Sequence, residues 1–325
     1  MFYSGYHGAP PGTPYERRSV KPMKLGNEIA GDGRFVRQPN RFTARIEEGG
    51  EHPPEPGRYQ IYASYACPWA QRSLIVRELL GLQDVVGVTV VDPIRDEKGW
   101  RIPGGDPVTG VEYLSELYHA TDPDFRGRYT VPCVWDRTAG RIATNDYFQI
   151  TLTLETAFAP WHAEGAPDLY PAALRAEIDA LNETIYRGLN NGVYGAGFAT
   201  SQEAYDEAVV KVFATLDMLE GRLSDGRPYL HGEALTESDV RTYTTLARFD
   251  AVYHSHFKCA IRRLVDYPAL WAYARRLYAI PAFRGTTDFD QIKRHYFITQ
   301  TNINPTRIVP RGPELDWTAA PEDRP

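Results

Sequence analysis

Cysteine is scarce in this sequence. The 325 residues include three cysteines, at positions 67, 133 and 259, which are too few and too widely spaced for the disulfide framework of a small secreted domain. His254 and His256 lie near Cys259, but no second cluster of cysteine and histidine at zinc spacing accompanies them. The sequence therefore predicts no metal site, and a reducing compartment, the cytoplasm, is the expected location.

Long apolar runs and an excess of positive charge are also lacking. Every apolar stretch is soon interrupted by charge and falls short of the length that a membrane-spanning helix needs. The N-terminus has no basic start followed by an apolar block, so it does not predict a secretory signal. The formal net charge of −6 gives no overall basic field for nucleic acid or an anionic membrane. We expect neither as a partner.

The length and the residue pattern favour two folded domains with an extension at each end. The composition, with 42% hydrophobic and 24% charged residues, is that of an ordinary globular protein. Residues 1–55 are rich in glycine, proline and charge and have little periodicity, which predicts an extended arm. We expect a first domain over residues 56–160, a second over residues 170–312 and a surface tail over residues 313–325.

Strands and helices alternate in the first domain. Predicted strands cover residues 58–65, 85–94, 128–137 and 141–146, and predicted helices cover residues 67–82, 115–122 and 147–158. The continuous β-branched run in residues 85–94 is typical of a strand buried on both faces. The order of strand, helix, strand, hairpin and helix predicts an α/β thioredoxin-like layer.

The second domain is predicted to be helical throughout. Apolar residues at a spacing of three to four predict helices over residues 177–197, 201–223, 238–257 and 268–280. Thr236 lies three residues before Asp239, which predicts a capping box at the start of the third of these helices.

Cys67 is the candidate nucleophile. It follows a predicted strand and precedes Pro68 at a predicted helix start, where free amides and the helix dipole favour an anion. We therefore expect a lowered thiol pKa and a reactive thiolate. Because the position three residues on is Ala70 and not cysteine, an oxidised intermediate would be a mixed disulfide with a small thiol. The alternative is a structural cysteine buried beneath a helix.

The Val131-Pro132 pair is a second candidate feature. Thioredoxin-like domains place a cis-proline just before a strand and beside the cysteine, and this pair lies at that point of the pattern. A cis bond would let the backbone of Val131 pair with a bound thiol as a short strand does. The alternative is a trans proline at the edge of a strand.

Motifs in a characteristic order run from about residue 35 to residue 312. They are Cys-Pro-Trp-Ala from Cys67, DEKGW, YLSELYHATDP, GRYTVPCVWD, NNGVYGAGFA, RFDAVYHSHFKC, HYF and INPTRIVP. Together they closely resemble the glutathionyl-hydroquinone reductases, the Xi class of glutathione transferases. The resemblance implies a thioredoxin-like domain followed by an all-α glutathione-transferase domain, assembled as a homodimer.

The resemblance also implies an activity. In that family the cysteine attacks the sulfur of a glutathionyl-hydroquinone, hydroquinone leaves, and a second glutathione releases the thiol as a disulfide. The tyrosines of the family motifs fall on Tyr194, Tyr253 and Tyr296, whose neutral hydroxyls both donate and accept hydrogen bonds. Without the motif context, each of them is typical of an amphipathic core residue.

The thiol-binding residues implied by the resemblance include two departures from the family pattern. The implied set is Trp100, Arg128, Val131, Pro132, Asp146 and Tyr147. Where the family has Asn-Glu-Ser-Ser, this chain has Asn-Asp-Tyr-Phe from Asn145, so the acid is shorter and Tyr147 is a bulky ring that would fill the γ-glutamyl pocket. Two further positions, Gln71 and Thr299-Gln300, replace histidine-containing family segments. The co-substrate is therefore glutathione or another low-molecular-weight thiol such as mycothiol.

Two other functions remain open from the sequence. A general omega-like thioltransferase or dehydroascorbate reductase would use the same cysteine. A glutathione-transferase-like binding module without turnover belongs to a different class. The three tyrosines favour the hydroquinone conjugate, because simple disulfide exchange needs no quinol-binding hydroxyl groups.

Overall fold

A mixed four-stranded sheet forms the centre of the N-terminal half. The computed structural model describes residues 28–319. The strands are β1 (Tyr59–Ala63), β2 (Gly87–Val90), β3 (Cys133–Asp136) and β4 (Arg141–Thr144). Their order is β2-β1-β3-β4, with β1 parallel to β2 and antiparallel to β3, and β3 antiparallel to β4. This is the thioredoxin-like sheet that the sequence predicts.

Three helices accompany the sheet. They are α1 (Pro68–Leu79), α2 (Leu114–Thr121) and α3 (Gln149–Thr156). Helix α1 begins at Pro68 because a proline there loses no intrahelical hydrogen bond and has a helical φ. Residues 68–76 of α1 are all buried, and the helix contacts both α3 and the C-terminal helices. Cys67 therefore lies at the junction of the two halves of the molecule.

Strand β2 differs from the prediction. The continuous apolar run predicted a strand buried on both faces, but β2 is an edge strand, and of its four residues Thr89 alone is buried. The central strand β1 is the one that is buried along its whole length. The prediction was wrong because β-branched composition does not distinguish an edge strand from a central one.

The C-terminal half is helical. Its helices are α4 (Arg175–Ile185), α5 (Gly192–Phe198), α6 (Gln202–Leu223), α7 (Glu237–Arg248), α8 (Pro268–Ala279), α9 (Pro281–Gly285) and α10 (Phe289–Thr299). The capping box at the start of α7 is confirmed, since the Asp239 carboxylate accepts from the Thr236 backbone amide at 2.8 Å. Between residues 28 and 319 there is no helix with the length and apolar character to cross a bilayer.

Two predicted helices are interrupted. Residues 177–197 form α4 and α5 with a π-helical turn at Tyr186–Asn190 between them, and the helix predicted over 238–257 gives way to a second π-helical turn at Phe249–Tyr253. Helices α9 and α10 were not predicted. The start of α10 carries a recognisable signal, because the Asp288 side chain caps it by accepting from the Gln291 amide at 2.9 Å.

The described parts of the arm and of the tail both pack against the rest of the molecule, and residues 320–325 of the predicted tail lie outside the described residues. From residue 28 the arm has isolated bridges and turns, as an extended segment does, and residues 1–27 of the predicted arm lie outside the described residues. The tail does not simply cover the surface, because Trp317 is buried against Trp271, Tyr278 and Phe289. Apolar burial of this indole fastens the tail to α8 and α10.

Candidate active site

Cys67 lies in the wall of a cavity at the start of α1. Its carbonyl accepts the first hydrogen bond of the helix, from the Gln71 amide at 2.9 Å. The side chain is 9% exposed, and it lines a cavity of about 90 Å³ together with Trp69, Tyr194 and Tyr296. The sulfur is therefore buried, but it faces a cleft as a nucleophile must.

The sequence predicts a lowered pKa for this thiol, and that prediction is wrong for the state that the structure describes. Burial raises the pKa of Cys67. The backbone at Ala70, the guanidinium of Arg248 and, to a smaller extent, that of Arg37 act in the opposite direction without reversing the shift. The Cys67 Sγ–H group also donates to the Val131 carbonyl at 3.3 Å, which favours the neutral thiol. The sequence showed the helix start, which lowers the pKa of the thiol, but not the burial, which raises it by more.

The peptide bond between Val131 and Pro132 is cis, as predicted. Val131 lines the cavity and presents its carbonyl to the cysteine sulfur. The preceding residue is fixed by Tyr118, whose hydroxyl donates to the Thr130 carbonyl at 2.8 Å and accepts from the Thr130 amide at 3.1 Å. These two hydrogen bonds from Tyr118 thus fix the backbone next to Val131, opposite Cys67.

The three predicted tyrosines meet at one point. They come from α5, the π-helical turn after α7, and α10. The Tyr296 hydroxyl lies 2.6 Å from that of Tyr194 and 3.0 Å from that of Tyr253. Tyr194 and Tyr296 line the cavity beside Cys67, and Tyr253 lies behind them. The sequence identified these residues although more than 100 residues separate the first from the last.

Burial controls the charge of these hydroxyl groups. It raises the pKa of Tyr194, Tyr253 and Tyr296, and the last two are raised well above the usual tyrosine value. All three are therefore neutral at pH 7. A linked chain of neutral hydroxyl groups can donate to a ligand oxygen and pass a proton along its length.

Trp100 and Arg128 lie on the wall of the cavity that carries Val131. The Trp100 indole N–H donates to the Tyr129 carbonyl at 3.1 Å. The Arg128 Nη2 group donates to Glu28 of the arm at 2.8 Å. Both side chains occupy the side of the cavity on which the resemblance places the thiol.

Of the neighbouring residues Asp146 and Tyr147, the second alone lines the described cavity. The Asp146 carboxylate accepts from the Asn40 side chain at 3.2 Å and from the Phe148 amide at 3.1 Å, and within the described chain it is not part of the cavity wall. Tyr147 lines the cavity, with its ring centroid 4.6 Å from that of Trp69. The bulky ring thus occupies space beside the cysteine.

Gln71 and Gln300, two departures from the family pattern, are both buried and hydrogen-bonded. The Gln71 side chain accepts from Arg248 Nη1 at 2.6 Å and donates to the Thr287 hydroxyl at 2.9 Å. Gln300 Oε1 lies 2.9 Å from His256 Nε2. These side-chain amides form buried hydrogen bonds where the family has histidines, and Gln300 also lines the cavity.

Several cavity residues were not predicted. Arg37 of the arm places its guanidinium carbon 4.8 Å from the ring centre of Trp69 and 4.7 Å from that of Tyr194. Arg95 and His295 line the cavity next to Trp100, with the His295 ring centroid 5.0 Å from that of Trp100 and the Arg95 guanidinium 5.7 Å from it. In the sequence, Arg37 is one arginine in a polar segment without periodicity, and nothing there distinguishes it from a solvent-exposed residue.

The cysteine and histidines of residues 254–259 do not form a ligand set. Over the described range 28–319, no group of three or more Cys, His, Asp or Glu side chains is placed to hold a metal ion. His256 is engaged with Gln300, and Cys259 is fully buried. Cys133 is buried as well, as expected for a core residue.

Comparisons with known proteins give the family. The family model for the N-terminal domain of glutathione S-transferases matches residues 66–157, and the one for the C-terminal domain matches residues 202–276. The glutathionyl-hydroquinone reductase PcpF of Sphingobium chlorophenolicum is 45% identical over 286 residues, covering 86% of this chain and 90% of that protein. The glutathionyl-hydroquinone reductase YqjG of Escherichia coli is 45% identical over 298 residues, covering 87% and 90%.

Solved structures agree with these relatives. The glutathione S-transferase Xi from Phanerochaete chrysosporium superposes with a TM-score of 0.85 at 46% identity, covering 88% of this chain and 95% of that one. The glutathione-bound structure of YqjG gives 0.81 at 45% identity, covering 90% and 97%. Sequence motifs, fold and relatives agree, and the chain belongs to the glutathione transferase family, in the Xi class with the glutathionyl-hydroquinone reductases.

Proposed function

We propose that this protein is a thiol-dependent reductase that removes glutathione from glutathionyl-hydroquinone conjugates through a mixed disulfide on Cys67. The observation that carries this proposal is the shared cavity, in which one cysteine sulfur faces the linked hydroxyl groups of Tyr194 and Tyr296. A cysteine suits attack on sulfur, and neutral hydroxyl groups suit the binding of a quinol. The names of the relatives PcpF and YqjG support the same activity.

The reaction has two steps. In the first, Cys67 loses its proton and its sulfur bonds to the sulfur of the conjugate. The sulfur-bearing ring carbon gains a proton, the carbon–sulfur bond breaks, and its electron pair enters the ring to give hydroquinone. The two sulfurs are thereby oxidised to a disulfide and the ring is reduced by two electrons. In the second step another thiol attacks the mixed disulfide, and Cys67 regains its proton.

The resting thiol must be activated when the ligand binds. In the described state the Val131 carbonyl accepts from Cys67 Sγ–H and holds the proton on sulfur. A peptide-like thiol whose amide donates to that carbonyl takes this acceptor away from Cys67. The sulfur is then left to the amides at the start of α1 and to the Arg248 charge, both of which favour the thiolate.

Glutathione is the proposed co-substrate, and mycothiol is the second candidate. The glutathione-bound structures of relatives favour glutathione. Tyr147 favours the second candidate, because its ring stands beside Trp69 where the family has a small serine. A thiol without a γ-glutamyl group has no carboxylate to place at that position.

One assay tests both the reaction and the choice of thiol. The protein is incubated with glutathionyl-hydroquinone or the mycothiol conjugate and the matching free thiol, and hydroquinone release is followed. We expect the wild type to release hydroquinone from the glutathione conjugate, and Cys67→Ser to lose nearly all activity. Cys259→Ala removes a buried cysteine outside the cavity and is the control. Equal rates in wild type and Cys67→Ser would refute the nucleophile, whereas disulfide exchange without hydroquinone release would favour the general thioltransferase.

We also propose that the molecule acts as a homodimer in the cytoplasm and that the helical domain supplies the contact. Val210, Met218 and Ile261 are large apolar side chains exposed on α6 and on the loop beside it. Arg262 pairs with Asp217 and holds this loop against α6. Light scattering on the wild type and on Val210→Glu tests the assembly, with a dimer expected for the former and monomer for the latter.

A further inference from the structure

The arm places a cation in the cavity that the catalytic scheme above does not use. Arg37 lines the cavity with Cys67, and its guanidinium lies between the rings of Trp69 and Tyr194. Cation–π contact of this kind fixes a guanidinium over ring faces and leaves its N–H edges open for other partners. The position of Arg37 is on the tyrosine side of the cavity.

One nitrogen of Arg37 has no partner. Its Nε–H donates to the Asn191 side-chain oxygen at 2.8 Å, which sets the direction of the guanidinium plane. Its Nη2 atom is buried and has no hydrogen-bond acceptor anywhere in residues 28–319. A buried donor without a partner destabilises the folded protein, and its presence in a ligand cavity points to an acceptor on the ligand.

The charges around the cavity favour an anion. Its cationic side chains are Arg37, Arg95 and Arg128, and the carboxylate in its described wall is Glu28. Glu28 pairs with Arg128 through Oε1, which accepts from Arg128 at 2.8 Å and from the Gln38 amide at 2.8 Å, and its Oε2 has no hydrogen-bond partner within residues 28–319. His295 adds no charge, because burial and then Arg95 lower its pKa to about 3. Three guanidinium groups against one carboxylate leave a net positive charge on the described cavity wall.

The arm is anchored on both sides of Arg37. On one side the Gly33 carbonyl accepts from the Thr200 amide at 3.0 Å, and Gly33 has φ +89°. A Cβ there would come within 2.7 Å of Ser201, so glycine alone allows this close approach. On the other side Gln38 accepts from the Arg128 amide at 3.1 Å and donates to its carbonyl at 3.3 Å. A cation held this rigidly is preorganised for catalysis.

We propose that Arg37 binds a ring oxygen of the aromatic conjugate through its free Nη2 group and stabilises the negative charge that collects there as the carbon–sulfur bond breaks. The proposal deepens the proposed function and rests on it. The sulfur-bearing ring carbon is protonated first while a ring hydroxyl gives up its proton. When the carbon–sulfur bond breaks, its electron pair enters the π system and places negative charge on that ring oxygen, which then takes up the proton lost by Cys67. A guanidinium at such an oxygen acts chiefly on this step, because exchange between sulfur atoms places no charge on a ring. The effect of Arg37 on the pKa of Cys67 is smaller than that of Arg248.

A dye titration tests the anion site without turnover. The probe is 4-nitrophenol, whose phenolate absorbs visible light while the neutral phenol does not. We expect the wild type to bind the phenolate preferentially and so to lower the pKa of the bound dye. In Arg37→Gln that pKa rises by about one unit, a tenfold loss of preference. Arg37→Lys keeps the positive charge but lacks the planar guanidinium. The pKa of the dye bound to it should lie between the values for the wild type and Arg37→Gln.

The control lies in the same arm. Arg34 pairs with Asp32 and Glu207 at the surface, so Arg34→Gln removes a positive charge from the same arm but none from the cavity. The contacts of Gly33 and Gln38 that hold Arg37 remain. We expect the dye bound to Arg34→Gln to have the same pKa as the dye bound to the wild type. An unchanged dye pKa in Arg37→Gln would overturn the proposal, as would a wild type that binds phenol and phenolate equally or binds neither.

Kinetics separate this proposal from the proposed function. Arg37→Gln should lower kcat/KM for hydroquinone release by about 10²-fold, the size of one lost oxyanion donor. Exchange of Cys67 with a small disulfide should change less than threefold. Equal losses in both reactions would place Arg37 at the cysteine instead and overturn the role at the ring oxygen. A wild type that shows the dye shift but releases no hydroquinone would refute the proposed function alone.

Discussion

At the residue scale, opposing effects act on Cys67. Removal from water favours the neutral thiol, while the helix start and Arg248 favour the thiolate. In the described state the first effect is larger, and the contact with the Val131 carbonyl adds to it. Cys67 is therefore a neutral thiol in the described state, and we propose that a bound ligand shifts it toward the thiolate.

This balance predicts the pH dependence of alkylation. A thiol with a raised pKa holds its proton to higher pH, so its thiolate fraction is still increasing where a free cysteine, with a pKa of about 8.5, is half ionised. We expect the rate of iodoacetamide alkylation of ligand-free protein at Cys67 to reach half of its maximum above that value. A peptide cysteine measured beside it is the control. A half-maximal rate near pH 6 would contradict the burial argument.

Single residues were predictable where a motif marks them. Cys67, the three tyrosines and the cis bond before Pro132 all follow from short local patterns and from the family they resemble. The pKa of Cys67 and the place of Arg37 were not predictable in this way. Both depend on neighbours that are distant in sequence, and a local pattern holds no information about which side chains cover a site.

At the scale of elements, the tyrosine cluster depends on close packing of α5. Gly197 faces Phe257, and a Cβ at Gly197 would overlap the Phe257 ring. Phe257 in turn stacks on Tyr253 with ring centroids 5.3 Å apart and contacts Tyr194 at 5.4 Å. The absence of a side chain on α5 therefore sets the distance between the elements that carry two of the hydroxyl groups.

The variant Gly197→Ala tests this packing. Overpacking should lower the free energy of unfolding by about 1–3 kcal/mol and reduce hydroquinone release, because α5 must move away from Phe257. The matched control is Gly195→Ala on the same helix, where the new Cβ meets Ala208 at 3.4 Å. That control should keep its activity and gain up to about 1 kcal/mol from helix propensity. Urea unfolding and the release assay measure both effects, and equal behaviour of the two variants would argue against the packing role.

The elements themselves were predictable in type more than in extent. The sheet strands and α1, α6 and α8 follow from clear periodicity and capping. The π-helical turn at Tyr186–Asn190 lies between α4 and α5, and the one at Phe249–Tyr253 ends the helical run that begins with α7. The apolar periodicity continues through both turns, so the sequence predicted unbroken helices. These turns are also where Tyr253 and the entry to α5 are positioned, and such irregular turns are frequent at functional sites.

At the scale of the whole molecule, Arg248 joins the two halves. Its buried guanidinium donates from α7 to the Ala66 carbonyl at 3.0 Å and to the Tyr65 carbonyl at 2.8 Å. It also donates to Gln71 at 2.6 Å. All three acceptors belong to the segment around Cys67. The Arg248 side chain therefore links Cys67 to the domain that carries the three tyrosines.

The variant Arg248→Met should loosen this join. We expect a loss of about 2–4 kcal/mol in the free energy of unfolding, because buried carbonyls lose a charged donor. Unfolding in urea, followed by tryptophan fluorescence and by circular dichroism, should then show two separated transitions. Arg187→Met is the control, since Arg187 forms an exposed pair with Glu183 of α4 and its loss should cost under about 1 kcal/mol. Identical midpoints for Arg248→Met and the wild type would contradict the proposed join.

The overall architecture was predictable because two kinds of pattern agree. The alternating N-terminal half and the helical C-terminal half follow from composition and periodicity, and the family motifs join them in order. The contact between the halves was not predictable, because it depends on buried polar side chains such as Gln71 and Arg248 that look like surface residues in a sequence.

The most direct test of the central claim is intact-mass spectrometry after a single turnover. The protein is mixed with glutathionyl-hydroquinone in the absence of free thiol, and both the released hydroquinone and the protein mass are measured. We predict one glutathione adduct, located on Cys67, for each hydroquinone released. Hydroquinone release without an adduct, or equal release by Cys67→Ser, would contradict the account.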